Sequence, residues 1–155
     1  MKNNLSKFYK NKKVLVTGAT GFKGAWLCKW LLMMKSKVTG IGFNPNKNKN
    51  LFYQLKLDKK IKLYLFDIRH HKKINNLIKK DKPAIIFHLA AQPLIYESYQ
   101  NPLKTFDINF RGSMNVVDIA RKHKCVKSVI IVTSDKCYES NFSSKGFKEN
   151  DLLGG

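Results

Sequence analysis

The sequence predicts an α/β fold, a doubly wound parallel sheet of the Rossmann type. Three observations predict it. Short β-branched runs alternate with segments of helical periodicity along the chain. The first run, "KKVLVT", ends in a glycine-rich turn that opens a helical pattern. Strand following helix following strand also implies parallel pairing, because parallel strands need crossover connections and right-handed helical crossovers supply them.

Each element follows from its local pattern. After the strand at 12–17 and the loop "TGATGFKG", Trp26, Leu27, Trp30, Leu31 and Met34 recur at helical spacing, which reads the Trp26/Trp30 pair as core. "KVTGIGF" (37–43) is the second strand, and "KNKNLFYQLKLDKK" is a polar connection. "IKLYLFD" (61–67) alternates as a third strand; Ile74, Leu77 and Ile78 then mark a short helix closed by Pro83. "AIIFHLAA" (84–91) is the fourth strand. Residues 101–123 form one long helix with Phe106, Phe110, Met114 and Val117 on one face, and "KSVIIVTS" (127–134) is the fifth strand. Residues 1–11 are a basic extension and 12–155 one domain, expected to be incomplete after about the fifth strand and to lack a substrate domain.

Composition narrows the class. With 43% hydrophobic residues in 155, the chain can bury a core and is not disordered. No apolar run reaches the roughly 18 residues of a membrane span, and no apolar segment follows the basic start, so no membrane partner and a cytoplasmic location are expected. Cys28, Cys125 and Cys137 have no CxxC spacing; they are expected to be buried or half-buried free thiols, with no metal site. The net charge of +20 raises nucleic acid as a partner, but the lysines are spread along the chain among asparagines. Compositional bias is the preferred reading, and a polyanion-binding protein is the alternative.

The glycine loop carries the chemistry. Gly18, Gly21 and Gly24 are spaced GxxGxxG between a strand and a helix, in the first βα unit. There the backbone can approach a pyrophosphate, and the helix N-terminus offers N–H groups and a positive dipole end. The acidic residue that would read ribose hydroxyls falls near "GFNPN", with Asn44. An uncharged side chain there favours NAD over NADP only by its hydrogen bonding.

"KVLVTGATGFKGAWLCKWLL", "FDIRH", "HLAAQPL" and "VTSDKCYE" stand in the order and spacing of one family. Over residues 11–155 the chain resembles the extended short-chain dehydrogenase/reductases, and within them the CDP-glucose 4,6-dehydratases. The resemblance implies that Gly18, Thr20, Gly21, Phe22, Lys23 and Gly24 line an NAD pyrophosphate site. It also implies that Asp67 and Ile68 meet the adenine, that Leu89, Ala90 and Ala91 pass under the cofactor, and that Asn109 and Thr133 help hold it. His88 is read as structural, and His70 and His71 as surface residues at a helix start.

The implied reaction takes a hydride from sugar C4, eliminates water across C5 and C6, and returns the hydride to C6. The 4-keto group acidifies the C5 proton, so oxidation precedes elimination. By resemblance, Ser134 would bond near the C4 oxygen, Asp135 would be the acid, and Lys136 the base, which requires it to be neutral. CDP-glucose is the implied substrate, and the family is usually dimeric or larger. The superfamily's YxxxK pair is expected to be missing, so the chain is expected to be inactive alone, aggregation-prone, or one half of a complementing pair. A remnant that binds NAD without turnover is the other alternative.

Overall fold

The computed structural model describes residues 2–43, 46, 48–134, 137–139 and 146–154. Five parallel strands, β1 (Lys13–Thr17), β2 (Lys37–Gly42), β3 (Lys62–Leu65), β4 (Ile85–His88) and β5 (Ser128–Ile131), stand in the order β3-β2-β1-β4-β5. The reversal of direction beside β1 is the switch point of a doubly wound sheet, where the strands' carboxyl ends leave a crevice. The expected fold class holds.

Eight-residue α1 (Lys2–Tyr9) occupies most of the basic extension. It is tied to the body: Asn11 N–H donates to the Lys35 carbonyl at 2.9 Å, and Ser36 Oγ donates to the Tyr9 carbonyl at 3.0 Å. Helix α2 (Phe22–Met33) joins β1 to β2. The 47–60 connection is less polar in structure than in sequence. It holds α3 (Leu51–Gln54) and a 3₁₀ turn (Leu57–Lys59), whose Phe52 and Leu57 are fully buried against β1 and α2 residues. Their burial comes from two apolar side chains in a lysine-rich stretch, too few to register as a period.

On the other face of the sheet, α4 (His71–Asp81) buries Ile74, Leu77 and Ile78. It ends at Lys82, in the left-handed conformation, just before Pro83. The expected long helix at 101–123 is one helical run over 102–122, made of α6 (Pro102–Phe106), a π turn (Asp107–Arg111) and α7 (Gly112–Lys122), and preceded by α5 (Ile95–Gln100). Ser113 Oγ donates to the Asn109 carbonyl at 2.6 Å, a side-chain bond to the preceding turn of the kind that distorts helices. Phe106, Phe110, Met114 and Val117 do share a face, but it is exposed.

Two cores result, one on each side of the sheet. Val14, Val16, Ala25, Cys28 and Leu31 centre the first; Leu15, Ile41, Ile86, Val116 and Ile119 centre the second. Alternate residues of β1 thus serve both, as period-2 geometry demands. Trp26 and Trp30 are not core: each is 49% exposed, because the inner face of α2 is filled by Gly24, Ala25, Cys28 and Leu31. Burial pushes the Cys28 thiol up to about 12, leaving it unreactive, and Cys125 is half-buried. Cys137 is exposed, against expectation.

Candidate nucleotide site at the strand ends

The turn after β1 is shaped by backbone contact. Gly18 has φ +69°, and a Cβ there would meet the Leu89 carbonyl group and the Ala90 nitrogen at 2.8 Å. A Cβ on Gly24 would overlap the Gly18 carbonyl. Only glycine therefore lets the start of α2 close onto the turn and the turn onto the segment after β4. Ala19 N–H donates to the Ile41 carbonyl at 2.9 Å, pinning the turn to β2.

This packing leaves Gly21, Phe22 and Lys23 exposed at the start of α2. No side chain caps that end, and its first turn holds no acidic residue. N–H groups with no side-chain cap and a positive dipole end stand where glycine gives clearance, and Lys23 is exposed in the same turn, so the residues present fit a pyrophosphate.

Thr20 differs from its neighbours. It is buried, with its methyl group 2.5 Å from where a Cβ on Gly42 would stand, and its carbonyl accepts from Asn50 Nδ2 at 2.9 Å. Its side chain supports the turn. Asn50 also caps α3, accepting from Phe52 N–H at 3.0 Å. Sequence reading missed Asn50, although an asparagine at a helix start is a recognisable signal.

At the end of β3, Asp67 is committed to Arg69. Its carboxylate accepts from Arg69 N–H at 2.8 Å and Nε at 3.0 Å on one oxygen, and from Nη2 at 2.7 Å on the other. The Arg69 side-chain hydrogen bond is the main cause that holds Asp67 below the usual carboxylate range. Arg69 Nη1 reaches Asp107 at 2.6 Å, which in turn pairs with Arg111 at 2.8 Å. This alternating ladder ties the end of β3 to the π turn. Ile68 is buried, against the bare backbone of Gly112, so its side chain belongs to the core.

A buried polar chain runs from β1 to the segment after β4. Ala90 N–H donates to Thr17 Oγ1 at 3.2 Å, and Thr17 Oγ1 lies 2.6 Å from His88 Nδ1. Ser113 donates to Asn109, so it accepts from His88 Nε2 at 3.0 Å, which puts a proton on Nε2. Burial pushes the His88 pKa down to about 4 and keeps the ring neutral, so Nδ1 accepts from the Thr17 hydroxyl. Asn109 completes the chain, its Oδ1 accepting from Gln92 N–H at 2.7 Å and its Nδ2 donating to the Gln92 carbonyl at 3.1 Å. His88 is structural, as expected. Asn109 acts on the Ala90–Gln92 segment. Thr17 and Ser113 were not visible as partners of His88, nor Gln92 of Asn109, because those bonds span 71, 25 and 17 positions of the chain.

His70 is exposed at the N-cap position of α4; His71 is half-buried and reaches Asp118 at 3.2 Å. Leu89 and Ala90 are half-buried and Ala91 exposed at the end of β4. Thr133 and Ser134 are exposed just beyond β5, where Val132 N–H still pairs with the His88 carbonyl at 3.0 Å. The expected residues on β1, β3, β4 and β5 thus gather along one edge of the sheet. Asn44, Asp135 and Lys136 lie outside the described residues. No tyrosine downstream of the loop has a lysine four residues on, but Tyr9 does precede Lys13 by that spacing, so the expected absence of YxxxK is corrected. That pair joins α1 to the start of β1, at the other end of the strand from the glycine turn. Among the described residues there is no cluster that could hold a metal ion and no helix long and apolar enough to cross a membrane.

Fold and edge together define a dinucleotide-binding domain of the doubly wound class. The family model of GDP-mannose 4,6 dehydratase matches residues 15–153, and the chain belongs to that family. It is 38% identical, over 96% of its length, to the CDP-glucose 4,6-dehydratase of Salmonella typhimurium, of which it spans 41%. A UDP-glucose 4-epimerase of Mycoplasma genitalium is 30% identical over 74% of this chain and 34% of its own. The epimerase Mth375 of Methanothermobacter thermautotrophicus superposes with TM-score 0.80 at 25% identity, over 96% of this chain and 43% of that one. A UDP-glucose-4-epimerase from Stenotrophomonas maltophila with bound NAD and formylated UDP-arabinopyranose gives 0.81 at 21% identity, over 93% and 43%. The chain spans less than half the length of each of these relatives.

Proposed function

We propose that these residues form the NAD-binding part of a nucleotide-sugar 4,6-dehydratase acting on CDP-glucose. The observation that carries the reading is the glycine turn, which closes backbone on backbone yet leaves the uncapped start of α2 exposed at the strand ends. The 38% identity to a CDP-glucose 4,6-dehydratase supports the choice of sugar nucleotide.

NAD, when bound, supplies the hydride acceptor and donor. Phe22 and Lys23 hold its pyrophosphate with main-chain N–H groups and one ammonium, while Gly21, whose own N–H donates to the Gly18 carbonyl at 2.9 Å, gives clearance. Asn109 and the Thr17–His88–Ser113 chain set the path of Leu89, Ala90 and Ala91 beneath it. Ser134 bonds the sugar C4 oxygen, Asp135 gives a proton to the departing 6-hydroxyl, and Lys136, neutral, takes the C5 proton. NAD capture is the activity we assign to the residues described, because the glycine turn and the start of α2 are the parts whose geometry supports it.

Gly21→Asp tests the reading. Gly21 has φ −74° and ψ 166°, a conformation any residue adopts. A Cβ there would stand 3.2 Å from the Gly18 carbonyl, which needs a shift of a few tenths of an ångström, and aspartate is a good helix cap. Folding should survive, while the added carboxylate repels the pyrophosphate. Calorimetric titration should show NAD binding to the parent chain and a Kd raised about tenfold or more in the variant. Equal affinity in both would overturn the site. Conversion of CDP-glucose by the parent chain would overturn the assignment of capture alone.

A further inference from the structure

The outward face of α2 carries an apolar row that the nucleotide site does not use. Trp26, Trp30 and Met33 lie at i, i+4 and i+7, 49%, 49% and 70% exposed. Helix α1 meets the end of this row, with Ser6, Lys7 and Lys10 facing Met33 and Lys35 across a shallow cleft. Leu5 and Phe8 remain exposed on α1.

The surrounding charge has one sign. The first 57 residues hold twelve lysines and no aspartate or glutamate. Lys7, Lys10, Lys35 and Lys37 are exposed. Among the elements packed on α2, only the 3₁₀ turn carries an acid, Asp58.

We propose that the α1/α2 face docks on an anionic phospholipid surface. Tryptophans favour the boundary between headgroups and acyl chains, and methionine, leucine and phenylalanine beside them add apolar depth. Lysines around such a row meet anionic headgroups. A second copy of this chain is a poor occupant, since it would bring lysine against lysine. Nucleic acid would satisfy the charge but would leave Met33 and Leu5 without a stacking role. The proposal is independent of NAD binding.

Trp26 and Trp30 are the chain's only tryptophans, so its fluorescence reports this face alone. The 155-residue chain is mixed with phosphatidylcholine vesicles with and without phosphatidylglycerol, and separately with single-stranded RNA, at physiological salt. With phosphatidylglycerol, emission should shift to the blue, acrylamide quenching should fall, and affinity should exceed that for pure phosphatidylcholine by about tenfold or more. Met33→Asp, and separately the pair Lys7→Glu and Lys10→Glu, should each weaken vesicle binding about fivefold or more while keeping the parent's circular dichroism melt. An unshifted emission, vesicle binding that vanishes at physiological salt, variants that fold and bind as the parent does, or a tighter complex with RNA would each overturn the proposal.

Discussion

Strands β1 and β5 are alike in sequence, "KVLVT" and "SVII", yet β1 is buried from its second residue while Ile130 and Ile131 of β5 stay partly exposed. The difference lies in their neighbours. β1 pairs on both sides and has a core on each face, whereas β5, among the described residues, pairs with β4 alone. Apolar, β-branched composition makes a strand; position in the sheet decides whether it is covered. The glycine turn after β1 consequently rests on backbone contacts that leave no room for a Cβ at Gly18 or Gly24, whereas Val132 to Ser134, just after β5, are exposed.

The largest expected break in that contrast is Gly24→Val. Its side chain would overlap the Gly18 carbonyl, and a loss of about 4 kcal/mol or more, with no cooperative melt, is expected. Urea unfolding within about 1 kcal/mol of the parent would refute the backbone packing.

Next comes acid. Unfolded histidine takes a proton near pH 6.5, but folded His88 resists until about 4, so the unfolded state binds more protons in that window. His88 therefore contributes fully above pH 6.5, and its contribution falls by about 3 kcal/mol as pH drops towards 4. Asp67 acts later, losing its contribution below its unfolded value of 3.8. Urea midpoints measured between pH 7 and 4.5 should drop in the parent and stay nearly flat in His88→Gln. A parallel drop in both would remove His88 as the cause.

Asn109→Ala should cost about 1–2 kcal/mol, since it leaves two Gln92 main-chain groups unmet. It should also weaken NAD binding through the Ala90–Gln92 segment, a loss that melting temperature alone would not report. Ile131→Thr at the open end should change stability by less than about 1 kcal/mol but slow aggregation followed by light scattering. If Ile131→Thr destabilised as much as Asn109→Ala, β5 would be better covered than its exposure indicates.

What could be read beforehand divides along the same line. The alternation of strands and helices, the helix holding Ile74 and Ile78, and the glycine turn were legible because period and backbone freedom are local properties. Trp26 and Trp30 were misplaced because helical spacing shows that residues share a face without showing which face is inward. Phe52 and Leu57 were lost among lysines. The Thr17–His88–Ser113–Asn109 chain joins four elements, and no window of sequence contains it. Asp67 was found, but the bridge that Arg69 makes from it to Asp107 ends on the π turn, which has no sequence signature of its own.

That π turn has a consequence for insertions and deletions. A widened turn is a helix with one extra residue in it, and removing one residue from 107–111 would restore ordinary winding. The helix on either side would keep its facing, because the π turn already absorbs the residue removed. What would change is the spacing inside the turn, where Asp107 meets Arg69 and Asn109 meets Gln92. A deletion there should therefore loosen those two ties while leaving α6 and α7 in place.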